Sequence, residues 1–264
     1  MDLVGMRSED VGQAIQGGAV LVLPVGAIEQ HGPHLPVGTD TLIVHHVALA
    51  AAQRTGDIVA PPVAIGYNQK ELAFPGTLSA KLETLTQYVR DICESGIKTG
   101  FRRLLILNGH GWNKPAISSA AHLVAEGPTE ALCAAASYYD LISDVASEVR
   151  ESEFPGGMAH AGEFETSLAL HLGLEGISPE KARKEVSFPR SRFSWLDIVA
   201  PPKFSIPRVF TQYTQSGVIG DPELATAEKG KRLFDAAVTE VAEFLQWFRE
   251  CDTGQQSSGS GKDS

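Results

Sequence analysis

The 264-residue chain predicts an α/β fold: a single domain with a mainly parallel β-sheet flanked by helices. Two observations carry this. Short apolar runs alternate along the chain with longer segments of helical periodicity. The first run, AVLVLPV at residues 19–25, is continuously apolar, as a strand buried on both faces is.

The elements follow in order. Residues 40–54 form a helix with Leu42, Val47 and Leu49 apolar. Residues 58–65 form a second strand, placed at an edge or bulge by Pro61 and Pro62. Residues 81–99 form a helix, because Leu82, Leu85, Val89, Ile92 and Ile97 recur near its period. Residues 103–107 (RLLIL) are a third strand. Residues 114–126 are a helix with Asn113 placed to cap it, and 131–137 a fourth strand. Residues 162–172 and 222–249 are further helices. One domain is expected over residues 1–250. The polar stretch 251–264, rich in Gly and Ser, is expected to be a disordered tail.

Composition excludes several functions. Lys and Arg number 22 against 32 Asp and Glu, a net charge of −10, and no basic run occurs. Sequence-independent nucleic-acid binding needs clustered cations, and anionic membranes repel such a chain. No apolar stretch reaches the roughly 20 residues of a membrane span. The three cysteines, Cys93, Cys133 and Cys251, form neither a disulfide framework nor a metal knuckle. A cytoplasmic protein is expected.

In parallel sheets, sites collect at the carboxyl ends of strands. Directly after the first strand stand Glu29, His31, His34 and Asp40. Glu29 and His31 are two apart, so in an extended segment they point the same way. After the third strand comes NGHGWN, with His110 in a glycine-flanked turn. A third cluster, HAGEFETS, holds His160, Glu163 and Glu165 at a helix start. Plainer readings exist for single members: Asp40 as a helix cap, His34 as a satisfied loop residue, Glu165 as a solvated helix residue. Taken together, imidazoles and carboxylates without thiolate suit Zn²⁺, Mn²⁺ or Fe²⁺.

The segments GAIEQHGPHLPVGTD, FPGTLS, NGHGWN, HAGEFETS and GVIGDP resemble, in order and spacing, those of the creatininase family. The resemblance implies the family's α/β fold, metal-dependent hydrolysis, largely of amide bonds, and homo-oligomers, commonly hexamers. It implies two divalent ions per subunit, zinc first, with Mn or Fe also suitable. Glu29, Asp40 and His110 would hold one ion. His31 and Asp40 would hold the other, with Asp40 bridging. Creatininase itself adds a Glu two residues after the histidine matching His110, where this chain has Trp112. Glu163 is the expected replacement, and Glu165 the alternative. His160 matches the family's catalytic histidine, and Glu165 would orient it or a ligand.

Trp112, Tyr67 and Asn68 are expected to line the pocket. Lys70, Glu71 and segments 152–158 and 188–195 are further candidates. The expected substrate is a cyclic or other amide of a small molecule. The alternative is a non-amide ring, such as an inosose-type cyclic polyol ketone. It is motivated by Trp112 and the polar 68–71 stretch.

Overall fold

The computed structural model describes residues 1–252. Four parallel strands form one sheet in the order β2-β1-β3-β4. In chain order the elements are α1 (Ser8–Gln16), β1 (Leu21–Val25), α2 (Thr39–Thr55), β2 (Ile58–Val59), α3 (Leu82–Lys98), β3 (Arg103–Asn108), α4 (Lys114–Ala125), β4 (Leu132–Ser137), α5 (Ser143–Val149), β5 (Met158–His160), α6 (Glu163–Leu172), β6 (Ile219–Gly220) and α7 (Ala227–Glu250).

Alternation along the central strands divides the core. Val20, Val22, Leu105 and Leu107 pack on one face against α2, α6 and α7. Leu21, Leu23, Val25, Leu104 and Ile106 pack on the other against α3 and α4. Side chains alternate across a strand, so both faces must be apolar when both carry helices. This is why β1 is buried along its whole length.

Three expectations change. The second strand covers only Ile58–Val59. Pro61 and Pro62 lack the N–H that would continue the ladder. Beyond them a single bridge joins Val63 to Val25. Asn113 does not cap α4; its side chain donates to the Gly26 carbonyl and accepts the Tyr67 N–H instead. The last helix begins at Ala227, after a 3-10 turn at Pro222–Leu224, because Thr226 Oγ1 accepts the Lys229 N–H and caps it there.

The helices α1 and α5 were not anticipated. The first buries no side chain and the second has seven residues. The antiparallel pair β5–β6 is shorter still and carries His160. The expected tail at 251–264 lies outside the described residues except for Cys251 and Asp252. No helix among the described residues is long and apolar enough to cross a membrane.

Candidate metal centre

The pairing of Val25 with Asn108 brings the ends of β1 and β3 side by side, so the loops bearing Glu29, His31 and His110 leave one sheet edge together. Gly109 lets that edge close on α2. A Cβ there would stand 2.7 Å from the Asp40 carbonyl oxygen and 2.8 Å from Val44 Cβ. Asn108 fixes the turn by donating from Nδ2 to the His110 carbonyl and accepting the His110 N–H at Oδ1. The N-cap of α2 is Gly38, so Asp40 lies inside the first turn and its carboxylate is not spent on capping.

Asp40 instead gives one oxygen to each of two histidines. Oδ1 lies 3.2 Å from His31 Nε2, and Oδ2 lies 2.9 Å from His110 Nδ1. Glu29 Oε1 is 3.3 Å from His110 Nδ1 and 3.4 Å from His160 Nδ1. Glu165 Oε2 is 4.0 Å from His31 Nε2. Three overlapping groups result: Glu29–Asp40–His110, His31–Asp40–Glu165 and Glu29–His31–His160.

Electrostatics follow from packing these charges out of water. Burial opposes a charge on His31, but Asp40, Glu165 and Glu29 overcome it and raise its pKa to about 10. His110 is likewise raised against its burial by Glu29 and Asp40. Burial works against the Asp40 carboxylate, yet the two histidines hold its pKa below the usual range. Glu165 is pushed up to about 7 by burial, which outweighs attraction from His31. His160 is pushed down to about 4 by burial and by repulsion from His31.

The donor set fits divalent cations. In a tetrahedral site with bonds of about 2.0–2.2 Å, neighbouring ligand atoms stand roughly 3.3–3.6 Å apart. The 2.9–3.3 Å separations among Asp40, Glu29, His110 and His31 are close to those edges. Glu29 Oε2 is buried without a hydrogen-bond partner, and Asp40 Oδ2 has none beyond the His110 ring. Buried polar atoms are ordinarily satisfied, so this concentration of exceptions calls for a ligand. The His31 ring is also placed for ligation: Nδ1 lies 3.1 Å from the Glu29 carbonyl oxygen, which would keep a proton there while Nε2, now hydrogen-bonded to Asp40 Oδ1, gave up its own proton to a cation.

The two candidate replacements for the missing carboxylate are separated by the fold. Glu163 belongs to none of the three groups. Its carboxylate pairs with Lys229 Nζ at 2.5 Å and accepts the Glu151 and Ser152 N–H groups. Glu165, two residues on, stands in one of the three groups, with His31 and Asp40. Glu165 also accepts the Ala161 N–H at 2.6 Å. Ala161 has φ of 49°, a left-handed conformation costing an L-residue roughly 1–2 kcal/mol.

Burial alone would raise the Glu163 pKa, but Lys229 and the 151–152 turn hold it below its ordinary value. Its stabilising effect is therefore present above about pH 4.3 and fades as pH falls through the lower folded value. Glu163→Gln is expected to cost about 1–3 kcal/mol of stability, since it strips a buried charge-assisted hydrogen bond, while bound metal is unchanged. Urea denaturation with metal analysis reads both.

A cavity of about 400 Å³ opens onto the cluster. Its floor includes Glu29, His110, His160 and Glu165, and its walls include Trp112, Phe188, Trp195, Phe210 and Tyr213. The expected wall at 188–195 is therefore present in part, whereas segment 152–158 does not line it. Tyr67 and Asn68 do not line it either. Asn68 is fully buried and donates from Nδ2 to the Ile28 and Leu78 carbonyls; Tyr67 packs against the core on the α3–α4 side. Lys114 also lines the cavity, paired with Asp140 at 2.8 Å. His34 is outside the three groups and shares a 3.0 Å hydrogen bond with Thr166 Oγ1. Gln30, flanked by two anticipated ligands, was passed over: its backbone oxygen lies 2.9 Å from His160 Nε2.

The family model for creatininase, described as creatinine amidohydrolase, matches residues 5–245. The chain belongs to the creatininase family. Its members are metal-dependent hydrolases, and this chain is one of them. It is 33% identical over 245 residues to the mycofactocin precursor peptide peptidase of Mycobacterium tuberculosis, covering 88% of this chain and 87% of the relative. It is 31% identical to the creatinine amidohydrolase of Pseudomonas putida, covering 87% and 90%. The 3-dehydro-scyllo-inosose hydrolase of Thermotoga maritima is 29% identical, covering 88% and 78%.

A creatininase crystal structure superposes with a TM-score of 0.81 at 28% identity, covering 94% of this chain and 97% of the other. Creatininase structures include a Zn–Zn form of a variant and a Mn form, each with a TM-score of 0.81 at 27% and 28% identity and each covering 94% of this chain and 98% of the other.

Proposed function

We propose that this creatininase-family hydrolase holds two divalent cations, zinc first, and hydrolyses an amide bond of a small molecule. The observation that carries the reading is the placement of Asp40, with one carboxylate oxygen toward His31 and the other toward His110. A carboxylate so shared is the bridge of a two-metal site. Glu29, Asp40 and His110 would hold one cation, and His31, Asp40 and Glu165 the other.

When bound, such cations supply a water of lowered pKa and a Lewis acid for the carbonyl oxygen. The chain supplies the rest. His160 lies in the cavity floor with Nε2 2.9 Å from the Gln30 backbone oxygen and 3.0 Å from the Gln30 side-chain Nε2; in this reading the carbonyl holds the proton on Nε2, and Nδ1, 3.4 Å from Glu29 Oε1, is the acceptor. At Nδ1 it can take a proton from the attacking water and return it to the leaving nitrogen. The Phe210 ring packs edge-on to His160, with centroids 5.0 Å apart, and limits the imidazole's rotation. Phe188, Trp195 and Tyr213 present apolar faces that exclude bulk water.

The reading includes homo-oligomeric assembly, supported by the family resemblance, and a cytoplasmic location, supported by the cysteine pattern; light scattering reads the assembly. The substrate test is a mass-spectrometric panel of cyclic amides, formamides, short peptides and cyclic polyol ketones. The zinc-loaded protein is expected to add one water to an amide, and the chelator-treated protein to none. Conversion of a cyclic polyol ketone alone would move the reaction to ring C–C cleavage. Full amide turnover after metal removal would overturn the metal reading.

A further inference from the structure

Glu71 is a buried carboxylate that this scheme does not use. It is 1% exposed, and its oxygens make no close hydrogen bond, although the Trp112 side chain is a donor near them. Leaving a carboxylate buried and unpaired is costly, so its position asks for a role. The adjacent Lys70 does not pair with it: that ammonium sits over the Trp112 ring, 3.3 Å from the centroid.

The loop bearing Glu71 is pinned from two sides. Asn68 Nδ2 donates to the Ile28 carbonyl, and the Tyr67 N–H donates to Asn113 Oδ1. Residues 67–71 are thereby held between the Glu29 segment and the His110 turn. Glu71 feels the charges of Glu29 and His110, and the Trp112 side chain favours its ionised form. His110 has a matching deficit. Its Nδ1 faces Glu29 and Asp40, while its buried Nε2 has no partner. A histidine that ligates through one nitrogen carries its proton on the other and needs an acceptor there.

We propose that Glu71 is that acceptor: a positioning residue whose carboxylate takes the Nε2–H of His110 across one ordered water and keeps Nδ1 turned toward the cation. Two neighbouring buried polar groups that make no close hydrogen bond to protein suit a bridging water. The inference rests on the metal reading above. It adds a residue from a third loop, outside the three ligand groups, to the apparatus that orients the site.

The test compares Glu71→Leu and Glu71→Gln with the parent protein by zinc affinity in chelator competition, by Tm of the metal-free protein, and by proton NMR of ring N–H groups in the zinc-loaded protein. Glu71→Leu is expected to weaken zinc binding about 10–100-fold, as loss of a histidine's outer partner does. Its slowly exchanging His110 ring proton disappears. Its metal-free Tm holds or rises, because an unpaired buried charge is gone. Glu71→Gln keeps an acceptor oxygen and recovers part of the affinity.

Zinc affinity within about twofold of the parent in Glu71→Leu, far short of the expected loss, overturns the inference. So does a fall in metal-free Tm in both variants that accounts for the weaker binding. If the parent binds zinc and His110→Ala abolishes that binding, an unaffected Glu71→Leu sinks this inference alone. If the parent binds no zinc, the metal reading falls with it.

Discussion

Asp40→Asn is expected to strip the protein of both bound cations and to lower hydrolysis by more than about 100-fold, beyond what loss of a supporting partner costs a metal site. The size of the effect follows from sharing. Asp40 stands in two of the three ligand groups, so one substitution opens both. Asparagine keeps the shape and the neutral amide oxygen but not the charge. A divalent ion beside two imidazoles then lacks the bridging anion. The fold should persist, because Asp40 makes no cap hydrogen bond for α2 and its surroundings are set by the helix backbone. Elemental analysis with circular dichroism checks this. Native helicity with an undiminished metal content would refute the shared-ligand assignment.

His160→Ala is expected to behave differently: full metal content and a kcat lowered about 10²–10⁴-fold, the usual loss on removing a positioned proton carrier. Its Nδ1 lies 3.4 Å from Glu29 Oε1, so it is near enough to the cluster to be mistaken for a ligand. The two roles separate by assay. A proton carrier spares metal affinity and lowers kcat more than it raises KM. A ligand loses metal. Loss of metal from His160→Ala would transfer it to the cation cage and leave the proton step without its carrier.

Much of this was readable in the chain itself. The buried strands announced themselves as continuous apolar runs, and the donors at Glu29, His31, Asp40 and His110 follow two of them directly. What could not be read is instructive. Glu163 and Glu165 open the same helix two residues apart, and residues so spaced point to nearly opposite sides of it. Only one could meet His31. The choice is made by Lys229 on α7, remote in sequence, which claims Glu163 and turns Glu165 inward. Asn113 and Asn68 misled for a related reason. Their amides hydrogen-bond backbone from distant loops, a use with no local pattern. Trp112 lines the cavity, and its position two residues from His110 in the same turn is a local signal the chain does carry.

The donor cage and the aromatic walls rest on different supports. Glu29, Asp40 and His110 are anchored to strand ends and a helix start, whereas Phe188 and Trp195 come from a stretch with little regular structure. The walls can therefore accept substitutions, insertions or grafted segments without disturbing the reactive centre. In an ancestral or engineered lineage, selectivity and bond-breaking are separable traits, and a new specificity is most cheaply acquired by rewriting residues 188–206, short of the Phe210 ring that steadies His160.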